Sequence, residues 1–127
     1  MGYCMSQKEA KFNMKAENKV PAFKALKAAA SNQTFSWINS ATVKGCRTLE
    51  ELMEECRWDL QENDDGDVTG IEFSGEKAGD DLKLFNILAP YVDGDSYIEM
   101  HGEDGAQWRW VFDGKTCVEK TPKVSWD

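Results

Sequence analysis

Between Ser96 and Glu119 the chain carries three short strand-like runs broken by two turn signals. Ser96-Tyr-Ile-Glu-Met-His101 leads into Gly-Glu-Asp-Gly, Ala106-Gln-Trp-Arg-Trp-Val-Phe112 leads into Asp113-Gly114, and Lys115-Thr-Cys-Val-Glu119 follows. Successive side chains of a strand point to opposite faces, and Asp and Gly suit the tight turns that join antiparallel neighbours. The segment therefore reads as a β-meander. On its middle strand Trp108, Trp110 and Phe112 share one face, while Arg109 and Val111 share the other. Large rings bury the most area, so the Trp pair is expected to face a core rather than serve as an exposed stacking platform. Arg109 is left to meet an acid on a neighbouring strand, Glu99 or Glu119.

Upstream the periodicity changes. Residues 10–15 alternate and predict a strand. Asn18 is placed to cap a helix that tolerates Pro21 in its first turn, with Val20, Phe23, Leu26 and Ala30 on one side. Thr34-Phe-Ser-Trp-Ile38 predicts a second short strand. Thr48-Leu-Glu-Glu51 has the form of a capping box, and Leu49, Leu52, Met53, Cys56 and Leu60 keep helical spacing after it. Val68 to Phe73 predicts a strand. Asp80 is placed to cap a short helix that turns Leu84, Phe85 and Leu88 inward and stops at Pro90. Helices early and hairpins late predict one α+β domain over residues 1–127. A single, mainly antiparallel sheet should carry about three helices on one face and end in the meander.

The charges are unevenly spread. Residues 1–47 hold eight Lys or Arg against two acids, and residues 48–104 hold eighteen acids against three bases, within a net charge of −8. A nucleic-acid backbone would be repelled by most of such a surface. The early lysines, Lys8, Lys11, Lys15, Lys19, Lys24 and Lys27, are expected to neutralise part of the acidic half in the fold. No apolar run approaches the roughly 18 residues of a membrane span, and the start lacks a secretory h-region. Cys4, Cys46, Cys56 and Cys117 form no C-x-x-C pair and read as small hydrophobes in a reducing cytoplasm. Phosphate-loop, dinucleotide, nucleophile-elbow and zinc-protease motifs are missing, so no cofactor is expected.

Gln61 to Glu72, QENDDGDVTGIE, invites comparison with a calcium loop. With Gly66 at the sixth position, Asn63, Asp65 and Glu72 fall at the third, fifth and twelfth. Gln61 replaces the first carboxylate, however, and glycines follow where a second helix should start. A tight turn into a strand is the expectation. A second candidate is catalytic: Glu99 lies two residues before His101, the only histidine, and Asp104 follows in the hairpin turn.

The words Gly2-Tyr-Cys-Met5, Thr48-Leu-Glu-Glu51, Arg57-Trp58 and Ser96 through Lys115 resemble those of a small set of uncharacterised bacterial and phage-associated proteins. That resemblance covers most of the chain. It implies a small soluble bacterial or viral domain and carries no activity or site residue. In such a setting the acidic composition points to a non-enzymatic interaction module of the inhibitor or immunity type. Its basic protein partner would dock on residues 50–67 and 93–104, through Glu54, Glu55, Asp64, Asp65, Asp67, Glu103 and Asp104. The competing readings are a small enzyme using Glu99, His101 and Asp104, and a degenerate EF-hand-like calcium module.

Overall fold

A computed structural model describes residues 4–31, 45–75 and 81–121. The expected strand at residues 34–38 and the Asp80 cap lie outside the described residues, as does the side chain of Ala30. The meander forms as its alternation requires. Strands β4 (Tyr97–Gly102), β5 (Gln107–Phe112) and β6 (Cys117–Lys120) are antiparallel neighbours. Gly105 and Gly114, at φ of 87° and 91°, take the left-handed conformation that the two turns need. Ile98, Met100, Trp110, Phe112 and Cys117 turn into the core, with Trp108 packed partly against it.

Strand β1 (Met5–Lys11) pairs antiparallel with β4, Met5 opposite Gly102 and Lys11 opposite Tyr97. It begins five residues before the alternating stretch at 10–15 and ends within it. Its sequence, MSQKEAK, is largely exposed, so the pairing with β4 rather than an apolar face defines it. The apolar residues that suggested a strand, Phe12 and Met14, follow β1 and are fully buried.

Helix α1 (Ala16–Ser31) starts two residues before Asn18. Its cap comes from elsewhere in the chain: the Ala16 N–H donates to the Asp67 carboxylate at 2.8 Å. Pro21 therefore lies inside the helix rather than in its first turn. Ala22 and Leu26 are buried, but Val20 is 61 % exposed, contrary to its expected inward position.

Helix α2 (Leu49–Glu55) opens on the capping box, with Thr48 Oγ1 accepting from Glu51 N at 3.2 Å and Glu51 reaching back to Arg47 N. The spacing that extended it to Leu60 misleads. Arg57 adopts φ 75°, its N–H bonds to Glu54 O, and the chain reverses into strand β2 (Trp58–Glu62). In β2 the two-residue period buries Trp58 completely and Leu60 partly. Strand β3 (Val68–Phe73) pairs back along β2, Trp58 opposite Phe73.

The strands thus divide into a four-stranded sheet, β1-β4-β5-β6, and the β2–β3 hairpin. Among the described residues two links join them. Met14 and Val68 exchange backbone bonds of 3.0 and 2.8 Å at one end of β3. At the other end the Gln7 side-chain amide donates to Ile71 O at 2.9 Å and accepts from Phe73 N at 2.8 Å. A side chain here does the work of a strand backbone, beside the irregularity in β1 between Gln7 and Glu9.

Helix α3 (Asp81–Leu88), followed by a 3₁₀ turn (Ala89–Tyr91), closes the core. Phe85 packs edge-on to Trp58 and Phe112, with ring centroids 5.1 and 5.8 Å apart. The buried Trp58 indole N–H donates to the buried Asp81 carboxylate at 3.0 Å. Among the described residues no helix is long and apolar enough to cross a membrane.

Candidate functional site: the acidic end of the sheet

The QENDDGDVTGIE segment is the end of β2, a turn, and β3. Asn63 organises the turn: its side-chain oxygen accepts from Asp65 N and Asp67 N, both at 3.0 Å, and Gly66 supplies φ 83°. This is the tight turn into a strand that the composition suggests. Glu72 pairs opposite Asp59 in the ladder, four residues past Val68 and on the order of 13 Å of extended chain away. It cannot complete a coordination sphere around Gly66, and a strand rather than a helix enters the loop. Among the described residues no three His, Cys, Asp or Glu side chains are grouped to hold a metal ion.

The expected docking residues do not form one surface. Strand β1 sets the scale: its Met5 end lies against Gly102 and its continuation at Met14 lies against Val68, up to roughly 30 Å of extended chain apart. Glu103 and Asp104 sit at the Met5 end, whereas Asp64, Asp65 and Asp67 sit at the Met14 end. Helix α2 folds back along β2, because Lys19 bridges Glu50 and Glu62. Glu54 and Glu55 are thereby carried toward Trp58, away from the turn.

The two acidic segments do meet, through a residue that the sequence analysis did not single out. Asp93 N donates to Asn13 O at 2.8 Å, which holds the 93–96 turn against the chain just before Met14. A depression of about 310 Å³ then opens between Asn13, Lys15, Asn63, Asp67, Thr69 and Asp93. Asp93 was within the expected 93–104 segment, but only the fold brings it beside the 63–67 turn.

The carboxylates at this end serve different ends. Asp67 caps α1 and is half-buried, so it is a structural acceptor before it is anything else. Asp95 pairs with Lys11 at 2.7 Å, and that ammonium holds the Asp95 carboxyl below its ordinary range. Asp64 and Asp65 are exposed, and their side chains make no hydrogen bond or ion pair among the described residues. At the opposite end Glu103 accepts from Cys4 N at 3.0 Å and Asp104 from Ala106 N at 3.1 Å. Glu54 and Glu55 are exposed.

The Glu99, His101, Asp104 group is not assembled as a relay. Arg109 Nε donates to Glu99 at 2.5 Å, Lys8 approaches the other oxygen at 3.5 Å, and together they hold the Glu99 carboxyl below its ordinary range. Glu99 is thus the acid that Arg109 was expected to find; Glu119 instead accepts from Trp110 Nε1 at 3.0 Å. His101 is exposed, and among the described residues no hydrogen bond links it to Glu99 or Asp104. Lys8, Lys11 and Lys19 do neutralise acids of the middle segment.

Cys4, Cys46, Cys56 and Cys117 form no disulfide among the described residues. Burial pushes the Cys56 and Cys117 thiols up to about 12, so both are protonated and unreactive at neutral pH. No protein-family model matches the chain, and comparison with curated proteins and with solved structures finds no match.

Proposed function

We propose that this domain is a cytoplasmic, non-enzymatic binding module that docks a basic protein through the acidic end of its sheet. The observation that carries the reading is the pair Asp64 and Asp65, exposed on a turn fixed by Asn63 and beside Asp93, with no cation paired to them among the described residues. A rigid turn presents charge with little ordering cost on binding. Unmatched carboxylates raise the association rate with a basic surface and select against acidic ones. Thiols that form no disulfide among the described residues accord with a reducing compartment. The resemblance to bacterial and phage-associated proteins accords with a role of the inhibitor or immunity type.

The test is binding from lysate of the source cell at low and high salt, with bound proteins identified. A stoichiometric basic partner should be retained at low salt and released at high salt. Reversing Asp64 and Asp65 to Lys should weaken it by about tenfold or more and flatten the salt dependence. Unchanged affinity in that variant would reduce the acidic end to a solvated surface.

A further inference from the structure

The face of the meander opposite the aromatic core has its own charge pattern. Across the strands Glu9, Glu99, Arg109 and Lys120 stand in register, one beside the next. Their side chains, with that of Lys8, line a groove of about 520 Å³, within the range of small-molecule sites. Three cations and two carboxylates give the lining a surplus of one positive charge, in a chain whose net charge is −8.

Arg109 is held at two points in the groove. Its Nε is bound to Glu99, and its guanidinium carbon lies 4.8 Å from the centroid of the Tyr97 ring. Two supports fix the plane of the fork, and the outer N–H groups remain for a ligand. Lys120, exposed and without a hydrogen bond or ion pair among the described residues, adds a second positive charge one strand away. Glu99 is already matched by Arg109 and Lys8, and Glu9 accepts the Tyr97 hydroxyl at 2.7 Å. A fixed Arg fork and a neighbouring ammonium are the elements that recognise an oxyanion.

We infer that this groove binds a small oxyanion, a phosphate monoester or carboxylate of metabolite size, with Arg109 and Lys120 as its ligands and Glu99 as the residue that positions Arg109. The inference is independent of the acidic end and stands or falls without it.

The experiment is an NMR titration of the full chain with phenyl phosphate and, separately, benzoate, each against sodium chloride at equal ionic strength. Saturable shifts should appear at the Arg109 Nε–H and at the amides of β5 and β6, and the stronger of the two probes identifies the oxyanion class. Arg109→Gln should weaken binding about tenfold, and Lys120→Ala should weaken it less. Glu99→Gln removes a negative charge, so simple attraction would strengthen binding. Positioning predicts the reverse, with the Arg109 Nε–H signal losing its hydrogen-bonded shift. Shifts matched by chloride, or retained in the Arg109→Gln, Lys120→Ala double variant, would overturn the site. So would binding of polyglutamate without either small probe, which would mark the face as an acidic-peptide surface. Stronger binding in Glu99→Gln would remove the positioning role.

Discussion

The turn at 63–67 and the outer face around Glu99 are both acidic in sequence, yet the fold spends their carboxylates differently. On the sheet face Glu99 faces two cations, and at the acidic end Asp95 faces Lys11. At the turn, Asp67 is committed to a backbone N–H of another element, and Asp64 and Asp65 are committed to nothing within the described residues. Composition counts all of these as equal negative charges. The structure ranks them by partner: a buried donor, a backbone cap, a surface cation, or none. That ranking decides which acids hold the fold and which remain for a partner.

The largest effect is expected at the buried rank. Asp81→Ala leaves the Trp58 indole N–H without its acceptor inside the core, a loss of about 1–3 kcal/mol. Denaturant unfolding should show it, and Asp81→Asn, which keeps an acceptor, should recover part of it. Asp67→Ala removes the cap of α1 and should cost about 1 kcal/mol, with Asp67→Asn close to wild type. An equal loss from Asp64→Ala would break the distinction drawn within the turn.

The surface rank is expected to be smaller and sensitive to salt and acid. Glu99 has a folded-state value lowered from 4.5, chiefly by its hydrogen bond from Arg109. Its contribution is therefore complete above about pH 4.5 and is lost as the pH falls through the lowered value. Thermal melts of wild type and Glu99→Gln should differ at neutral pH and converge in acid, and high salt should narrow the gap. A gap that widens in acid would contradict the pairing.

The meander was legible because its alternation, turn residues and aromatic face agree, and pairing with neighbours reinforces all three. The capping box was legible because Thr48 and Glu51 act within one helical turn. What escaped is set by partners distant in sequence. Helix α2 could not be seen to stop at Glu55, because Arg57 is an unmarked residue in a left-handed conformation. Leu60 meanwhile satisfies the helical and the strand period equally. The start of α1 was hidden because its cap, Asp67, lies 51 residues away. The same holds for the site: the acidic segments were readable, but which acids meet is fixed by register, and register set Asp93 beside the 63–67 turn and sent Glu103 and Asp104 to the other end.

The most direct measurement compares two charge reversals in one binding assay against the partner captured at low salt. Asp64→Lys with Asp65→Lys alters the acidic end, and Glu103→Lys with Asp104→Lys alters the opposite one by the same charge, with folding verified by thermal melts. Loss of about tenfold or more in affinity for the first pair, with a change of no more than about twofold for the second, is the expected result. Equal losses from both pairs would show that the partner reads net charge alone, and the acidic end would have no special claim as its docking site.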